Sequence, residues 1–329
     1  MEQTPIKSAR RPALPKLRVG ALRALRVNPH DRRDLQRVIE TGEAAAPNGQ
    51  APQQVVAPEP EPKAKAPAEK KQRATEIVIK LPGGEKRNCG KQHRSFPVLL
   101  QLLAARQHVY LVGPAGSGKT TAADECAKAL GLDFYCQSVG AQTTQAQLIG
   151  YSDATGSYVP THFRRAYENG GVFLLDEIDA GNANVLTVLN AALANGQCAF
   201  PDKMVTRHEN FRCIAAANTF GTGADRQYVG RNQLDAASID RFAFLDWPYD
   251  EALEAELADN DDWTAHVVKA RRAVELLKVR HVVSPRASIK GAQLLSAGIA
   301  REQVEASLLW KGLDTETRAK VEAQMRMIG

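Results

Sequence analysis

The sequence predicts an α/β protein in which a five-stranded, mostly parallel sheet is covered by helices and followed by a small all-helical C-terminal part. Three observations carry this expectation. Five short apolar runs, at 108–112, 133–138, 171–175, 211–216 and 241–245, alternate with helical segments. A glycine-rich turn joins the first run to a helix-like stretch at 121–130 that ends on Gly131. From about Tyr249 onward strand patterns cease, and 251–257, 263–277, 285–297 and 301–308 have helical periodicity.

The chain divides by composition. Residues 1–40 form a basic tail with one short helix expected at 31–40, stopped by Gly42. Residues 41–74 are a Pro/Ala-rich linker; six prolines fall in 41–72, and such a segment buries too little apolar surface to offset its ordering entropy. The α/β domain is expected over 75–248 and the helical lid over 249–329. The 75–81 stretch (TEIVIKL) reads as a strand ending in a Pro82-Gly83-Gly84 turn, and Phe96, Leu99, Leu100, Leu102 and Leu103 mark an amphipathic helix.

Bulk properties narrow the function classes. The net charge is +6, but residues 1–38 hold ten Lys/Arg against three Asp/Glu, and the other 291 residues hold 33 against 34. The basic character therefore belongs to the tail, which is the one segment expected to contact nucleic acid; a docking peptide or a solvated extension are the other readings of it. No run of about 18 apolar residues exists to cross a membrane, and the N-terminus lacks a secretory pattern. Five cysteines are scattered without metal-site spacing, and Cys89 with His93 makes too small a ligand set. The expected location is a reducing cytoplasm.

Gly113-Pro114-Ala115-Gly116-Ser117-Gly118-Lys119-Thr120 fits G-x-x-x-x-G-K-[ST] in full, with an apolar strand before it and a helix from Thr121 after it. The glycines let backbone N–H groups turn inward around phosphate oxygens at a helix N-terminus. Lys119 is then expected to reach the β- and γ-phosphates of ATP, and Thr120 to offer its hydroxyl to Mg²⁺. The apolar run Val172-Phe173-Leu174-Leu175 ends in Asp176-Glu177. Asp176 is the expected Mg²⁺ ligand, direct or through water, and Glu177 the base that deprotonates the attacking water.

With these motifs in place, residues 90–329 resemble the AAA+ superfamily, a P-loop NTPase fold with a five-stranded parallel core sheet and a C-terminal α-helical lid. The resemblance implies that Asn218, at the end of the fourth strand, is the sensor 1 residue that positions the lytic water. It implies that Arg241, in Asp240-Arg241-Phe242, is an arginine finger acting on a neighbouring subunit, with Arg231 as the second candidate for that role. Arg286, in Ser284-Pro285-Arg286-Ala287, corresponds to sensor 2 and is expected to contact the phosphates from the same subunit. Within the superfamily the chain looks like the MoxR and dynein-related branch and is most similar to the AAA+ (CobS-like) subunit of cobaltochelatase. The stretches FLLDEIDAG (173–181), FRCIAAANTFGTG (211–223), LDAASIDRF (234–242) and SPRA (284–287) carry this similarity. Members of the branch insert hairpins before the third and fourth strands. Residues 150–160 and 196–208 are the matching segments, and Tyr151 and Tyr158 either touch a client or pack the first hairpin.

The resemblance implies an ATP-hydrolysing homo-oligomer, a hexameric ring by family expectation, that remodels a protein client as a chaperone with a von Willebrand A-type partner. Residues 1–72 do not resemble the chelatase subunit, and no tetrapyrrole or cobalt site is legible. The alternative is a nucleic-acid-directed ATPase, like the McrB-type or phage DNA-processing motors, contacting DNA through residues 1–38.

Overall fold

The computed structural model describes residues 76–80 and 86–328. The basic tail with its 31–40 helix, the 41–74 linker and the 82–84 turn lie outside the described residues. An antiparallel pair, β1 (Glu76–Lys80) and β2 (Lys86–Lys91), precedes α1 (Phe96–Ala104). Pro97 sits in the first turn of α1, where a missing N–H costs nothing, and Phe96, Leu99, Leu100 and Leu103 form its buried stripe.

The core then alternates strand and helix. β3 (Val109–Val112) runs into the glycine-rich turn and α2 (Lys119–Leu130), which ends on Gly131 in the left-handed conformation (φ 68°). β4 (Phe134–Ser138) and the one-turn α3 (Gln145–Ile149) lead to a small hairpin of β5 (Tyr151–Ser152) and β6 (Tyr158–Val159). α4 (His162–Asn169) returns the chain to β7 (Gly171–Asp176). After a 3₁₀ turn at Ile178–Ala180 come α5 (Ala183–Asn195), a second hairpin of β8 (Gln197–Ala199) and β9 (Met204–Thr206), and β10 (Phe211–Ala217). The short α6 (Ala236–Ile239) leads into β11 (Ala243–Asp246).

The five core strands lie in the order β11-β3-β10-β7-β4, all parallel. Their side chains alternate between two cores, as period-2 geometry requires. Tyr110, Phe173, Leu175, Phe211 and Cys213 pack with α4 and α5 residues such as Phe163, Tyr167 and Leu189. Val109, Leu111, Val172, Leu174 and Ile214 pack with α1 and α2 through Leu99, Leu103, Ala123 and Cys126. The sheet is therefore buried on both faces, which explains why β3 and β10 are buried along their whole length rather than alternating. In-register pairing brings Val112, Ala217 and Asp246 level, and Ser138 beside Asp176. The carboxyl ends of the strands thus present one rim on which loops can converge.

The lid is helical: α7 (Glu251–Ala258), α8 (Asp261–Leu276), α9 (Pro285–Ser296), α10 (Arg301–Leu308) and α11 (Thr315–Met327). It has its own core around Trp263, Val267, Val274, Val304, Leu309 and Val321. A buried ion pair ties its helices together. Arg271 donates to both Glu254 oxygens (2.8 and 2.6 Å) and to the Val283 carbonyl (2.7 Å), and the Ser288 hydroxyl donates to the same carboxylate. The last helix, α11, lies beyond the four that sequence periodicity predicts. It is nucleated by an Asp314 cap and carries Lys320–Glu316 and Arg318–Glu322 pairs, while only Val321 and Met325 are buried.

The two hairpins share one anchor. The buried Arg164 of α4 donates to both carboxylate oxygens of Asp202 in the β8–β9 turn (2.7 and 3.3 Å) and to Glu168 (2.8 Å). Its guanidinium also lies over Phe200 (4.4 Å to the ring centroid) and over Tyr158 of β6 (5.1 Å). Tyr158 donates its hydroxyl to the Ile149 carbonyl (2.7 Å), so it packs the first hairpin, whereas Tyr151 is exposed. Arg164→Ala is expected to cost about 2 kcal/mol in denaturant unfolding, from lost charge-assisted hydrogen bonds. Hydrogen exchange should rise in 150–160 and in 197–206 together; a rise confined to one hairpin would show that the anchor is not shared.

Candidate active site

The glycine-rich turn leaves the sheet between β10 and β11 and is held there by both. The Gly113 N–H donates to Ala217 O (3.2 Å) and the Trp247 N–H to Val112 O (2.6 Å). This close approach admits only glycine, because a Cβ at 113 would sit 2.0 Å from the Trp247 carbonyl oxygen. Three aromatic side chains then fix the loop backbone. Trp247 Nε1 donates to Ser117 O (3.0 Å), the Tyr249 hydroxyl donates to Ala115 O (2.8 Å), and the Ala115 N–H donates to the Tyr228 hydroxyl (2.9 Å). Gly116 and Gly118 adopt φ of 81° and 86°, left-handed values that glycine reaches without steric cost. The Ser117 hydroxyl oxygen is buried without a protein partner.

Lys119 opens α2 and is 93% buried, with a relative exposure of 7%. Its ammonium donates to Gly113 O (2.7 Å), Pro114 O (3.2 Å) and Asn218 Oδ1 (3.1 Å). All three partners are neutral, so the charge is poorly compensated. Burial pushes its pKa down to about 8, opposed by Asp176 and Asp179 and assisted by Arg231 and Arg286. The Thr120 hydroxyl donates to Asp176 Oδ2 (2.9 Å), and the Glu177 N–H donates to the other oxygen, Oδ1 (3.0 Å). These are hard oxygen donors of the kind Mg²⁺ takes, and one or two protein oxygens suffice when phosphates and water complete its shell. Among the described residues no cluster of three or more His, Cys, Asp or Glu forms a protein-only metal cage. Glu177 has φ 58°, a left-handed conformation that a non-glycine residue adopts at a cost of roughly 1 kcal/mol. Such strain is characteristic of functional positions.

Asp179, two residues further on, is fully buried and was not singled out by sequence reasoning. Its Oδ2 accepts from the N–H groups of Asn218 (3.1 Å) and Thr219 (3.0 Å) and from the Thr219 hydroxyl (2.9 Å). Its Oδ1 accepts from Arg231 Nη1 (3.1 Å), and the same nitrogen lies 3.7 Å from Glu177 Oε2. Asp179 thereby joins the end of β7, the exit of β10 and the segment carrying Arg231.

The lid closes the site from the other side. A Cβ at Gly116 would lie 2.8 Å from Ser284 Oγ and 3.6 Å from Arg286 Cδ, so the start of α9 abuts the loop. The resulting cleft has a volume of about 480 Å³, and Lys119, Thr120, Asp176, Glu177, Asn218 and Arg286 all line it. Leu253, Leu257 and Ile289 of the lid supply apolar lining, together with His93. The His93 ring stacks on Trp247 (centroids 4.1 Å apart, planes 19° apart). Its Nδ1 accepts from the Ser95 N–H (3.0 Å), which leaves Nε2 to donate to Pro248 O (2.8 Å). Burial holds this imidazole below the ordinary histidine range.

Of the sequence-predicted residues, the structure brings 115–120 of the phosphate loop, Thr121, Asp176, Glu177, Asn218 and Arg286 together around the cleft; Gly113 and Pro114 lie outside its lining and accept from Lys119 through their carbonyls. Arg241 stands apart from that lining. It donates to the Ala237 carbonyl of α6, and its Nε is buried without a partner. Tyr228, Trp247, Tyr249, His93 and Asp179 escaped sequence reasoning. Each acts through a loop conformation that no spacing rule encodes; Trp247 reads as an ordinary core aromatic.

Comparison with known proteins concerns mainly the core. Residues 108–242, from β3 to the start of β11, match the family described as AAA domain (dynein-related subfamily). A Lon protease from Syntrophus aciditrophicus is 42% identical over 72 residues, which is 21% of this chain and 9% of the Lon sequence. A Lon protease from the Aster yellows witches'-broom phytoplasma is 42% identical over 73 residues, again 21% of this chain and 9% of that one. The chain thus spans under a tenth of the length of these curated relatives. Among solved structures, the Thermotoga maritima RuvB Holliday junction branch migration motor is 19% identical, covering 69% of this chain and 72% of that one with a TM-score of 0.42. The matched segment contains the phosphate loop, Asp176, Glu177, Asp179, Asn218, Arg231 and Arg241, and four of the five parallel core strands, β3, β4, β7 and β10.

Proposed function

We propose that the chain is a Mg²⁺-dependent ATPase of the AAA+ type that works as a ring motor. The observation that carries this reading is the single cleft in which residues 115–120 of the phosphate loop, Asp176, Glu177, Asn218 and Arg286 meet. Lys119 binds the β- and γ-phosphates once it exchanges its three neutral partners for anionic ones. The amides turned inward by Gly116 and Gly118 hold the remaining phosphate oxygens. The apolar lining from Leu253, Leu257 and Ile289 receives the base, with His93 beside it. Thr120 and Asp176 are the residues that would hold Mg²⁺, whose chemistry is to neutralise phosphate charge. Glu177 takes the proton from the attacking water, and the Asn218 amide orients that water. Arg286 follows the phosphates from the lid, and Arg241 of one subunit completes the site of its neighbour.

Ring assembly, remodelling of a protein client and a von Willebrand A-type partner belong to the same proposal. Their support is the similarity to the MoxR and cobaltochelatase branch and the near-neutral balance of charge beyond residue 38. Direction by nucleic acid is the second reading, and the basic residues 1–38 are what favours it.

Lys119→Ala is expected to weaken ATP binding at least about tenfold, since each charge-assisted bond contributes roughly 1.5–3 kcal/mol. Glu177→Gln should bind ATP normally and turn over about 10²–10⁴-fold more slowly; normal turnover would remove Glu177 as the base.

The low pKa of Lys119 sets a pH signature. Phosphate favours the ammonium form, so bound ATP raises this pKa above about 8. Affinity should be flat below pH 8 and fall as pH rises past it. Binding at pH 8 should take up about half a proton by linkage. Calorimetry in buffers of different ionisation enthalpy measures this uptake, and zero uptake would show that Lys119 is fully charged beforehand.

Arg241→Ala should reduce turnover by about 10³–10⁵ if it completes the neighbour's site. Mixing it with Glu177→Gln subunits should recover part of the activity, because some sites then combine an intact Glu177 with an intact Arg241. No recovery in demonstrably mixed assemblies would place Arg241 outside the shared site.

A further inference from the structure

Arg231 is the second basic residue that sequence alone offers for action on a neighbouring subunit. Its surroundings point elsewhere. It belongs to the segment leaving β10, which folds back on itself through a Thr222–Gln233 bridge and a Leu234 N–H to Gly221 O bond (2.9 Å). The next residue fastens that segment to the turn after β7. Asn232 donates its N–H to Asp179 O (2.6 Å) and its side-chain amide to Gly181 O (2.9 Å). The Arg231 side chain is only 12% exposed, and Nη1 lies 3.1 Å from the buried Asp179 Oδ1 and 3.7 Å from Glu177 Oε2. Reaching into another subunit would strip a fully buried carboxylate of its counter-charge.

We infer that Arg231 is a positioning residue acting within its own subunit, where its pairing with Asp179 sets both Glu177 and Asn218 for hydrolysis. This rests on the ATPase reading above. One nitrogen faces the base directly and the Asp179 carboxylate together. The second oxygen of that carboxylate takes the Asn218 and Thr219 amides, so the charge on Arg231 is transmitted to the sensor strand through a single side chain. The guanidinium also lies 6.0 Å from the ring centroid of Tyr228, whose hydroxyl accepts the Ala115 N–H of the phosphate loop. A residue linked in this way influences the placement of the water rather than the grip on the nucleotide. Misplacement of a catalytic group by about 1 Å can cost 10²-fold.

The test is a kinetic double-mutant cycle on the full-length protein with Arg231→Gln, Asp179→Asn and the pair, ATP affinity being measured alongside. Gln keeps a donor and removes the charge, so the neutral pair retains its bond and the fold. Each single change should lower kcat about tenfold to a hundredfold while the ATP dissociation constant stays within about threefold. The double variant should be no worse than the poorer single one. Losses that multiply would overturn the inference, as would recovered activity in mixed assemblies of Arg231→Gln with Glu177→Gln subunits. Hydrogen exchange of the Asn218 and Thr219 amides should rise in Arg231→Gln; unchanged exchange would also overturn it. Wild-type protein that binds ATP without hydrolysing it would instead defeat the ATPase reading, and the exchange measurement would still judge the Arg231–Asp179 coupling.

Discussion

The site depends on one buried charge, the carboxylate of Asp179. An ion removed from water is tolerated only when paired and hydrogen-bonded, and Asp179 meets that requirement with three donors on one oxygen and Arg231 on the other. Those partners come from the exit of β10 and from the segment before α6. Satisfying the carboxylate therefore forces two loops against the turn that carries Glu177. Asn218 is fixed from both ends: its N–H is held by Asp179, and its Oδ1 accepts from Lys119. Lys119, Asn218 and Glu177 are thus linked around one buried side chain.

A second constraint governs the lid. Arg271 and Glu254 are both buried, and their bidentate pair with Ser288 and the Val283 carbonyl ties α7, α8 and the start of α9 together. The Arg271 guanidinium lies over the Tyr249 ring (4.5 Å to the centroid), and the Tyr249 hydroxyl donates to Ala115 O. Tyr249 therefore stands between the lid core and the phosphate loop, and Gly116 against Ser284 is the second point of contact. A rotation of the lid must shift one or both contacts. This gives a physical route by which loop occupancy and lid angle depend on each other, with Arg286 carried along on α9.

Much of this architecture was legible in the sequence because it rests on local rules. The apolar run of β3 has no polar face to expose, so burial on both sides follows from composition, and the phosphate loop is specified by where Gly113, Gly116 and Gly118 fall. Residues 150–160 and 196–208 each contain a short hairpin where family similarity places one. What escaped depends on the fold bringing distant loops together. Asp179 reads as one more acid after Asp176 and Glu177, and only the return of the chain at Asn218 and Arg231 shows why it must be charged and buried. Tyr228 and Tyr249 look like loop aromatics until their hydroxyls meet the two sides of the Ala115 peptide. The helix α11 buries only Val321 and Met325 and is otherwise supported by charged pairs, so its apolar stripe is too thin for periodicity to reveal.

The distribution of cations leads to a further step under the proposed ATPase reading. Phosphoryl transfer needs positive charge where the transferring group sits, and the chain commits its arginines unevenly. Arg286 lines the cleft, and Lys119 is there with its proton held weakly. Arg231, the cation nearest Glu177, is already bound to a carboxylate that cannot release it without leaving a buried charge unpaired. Arg241 lies outside the cleft lining and donates to the Ala237 carbonyl of α6. With Arg231 committed inside its own subunit, Arg241, beside the edge strand β11, is the arginine left for the proposed action on a neighbour. Under that proposal the cleft would take the base, the water-orienting amide and the lid arginine from its own subunit and its last positive charge from a neighbour.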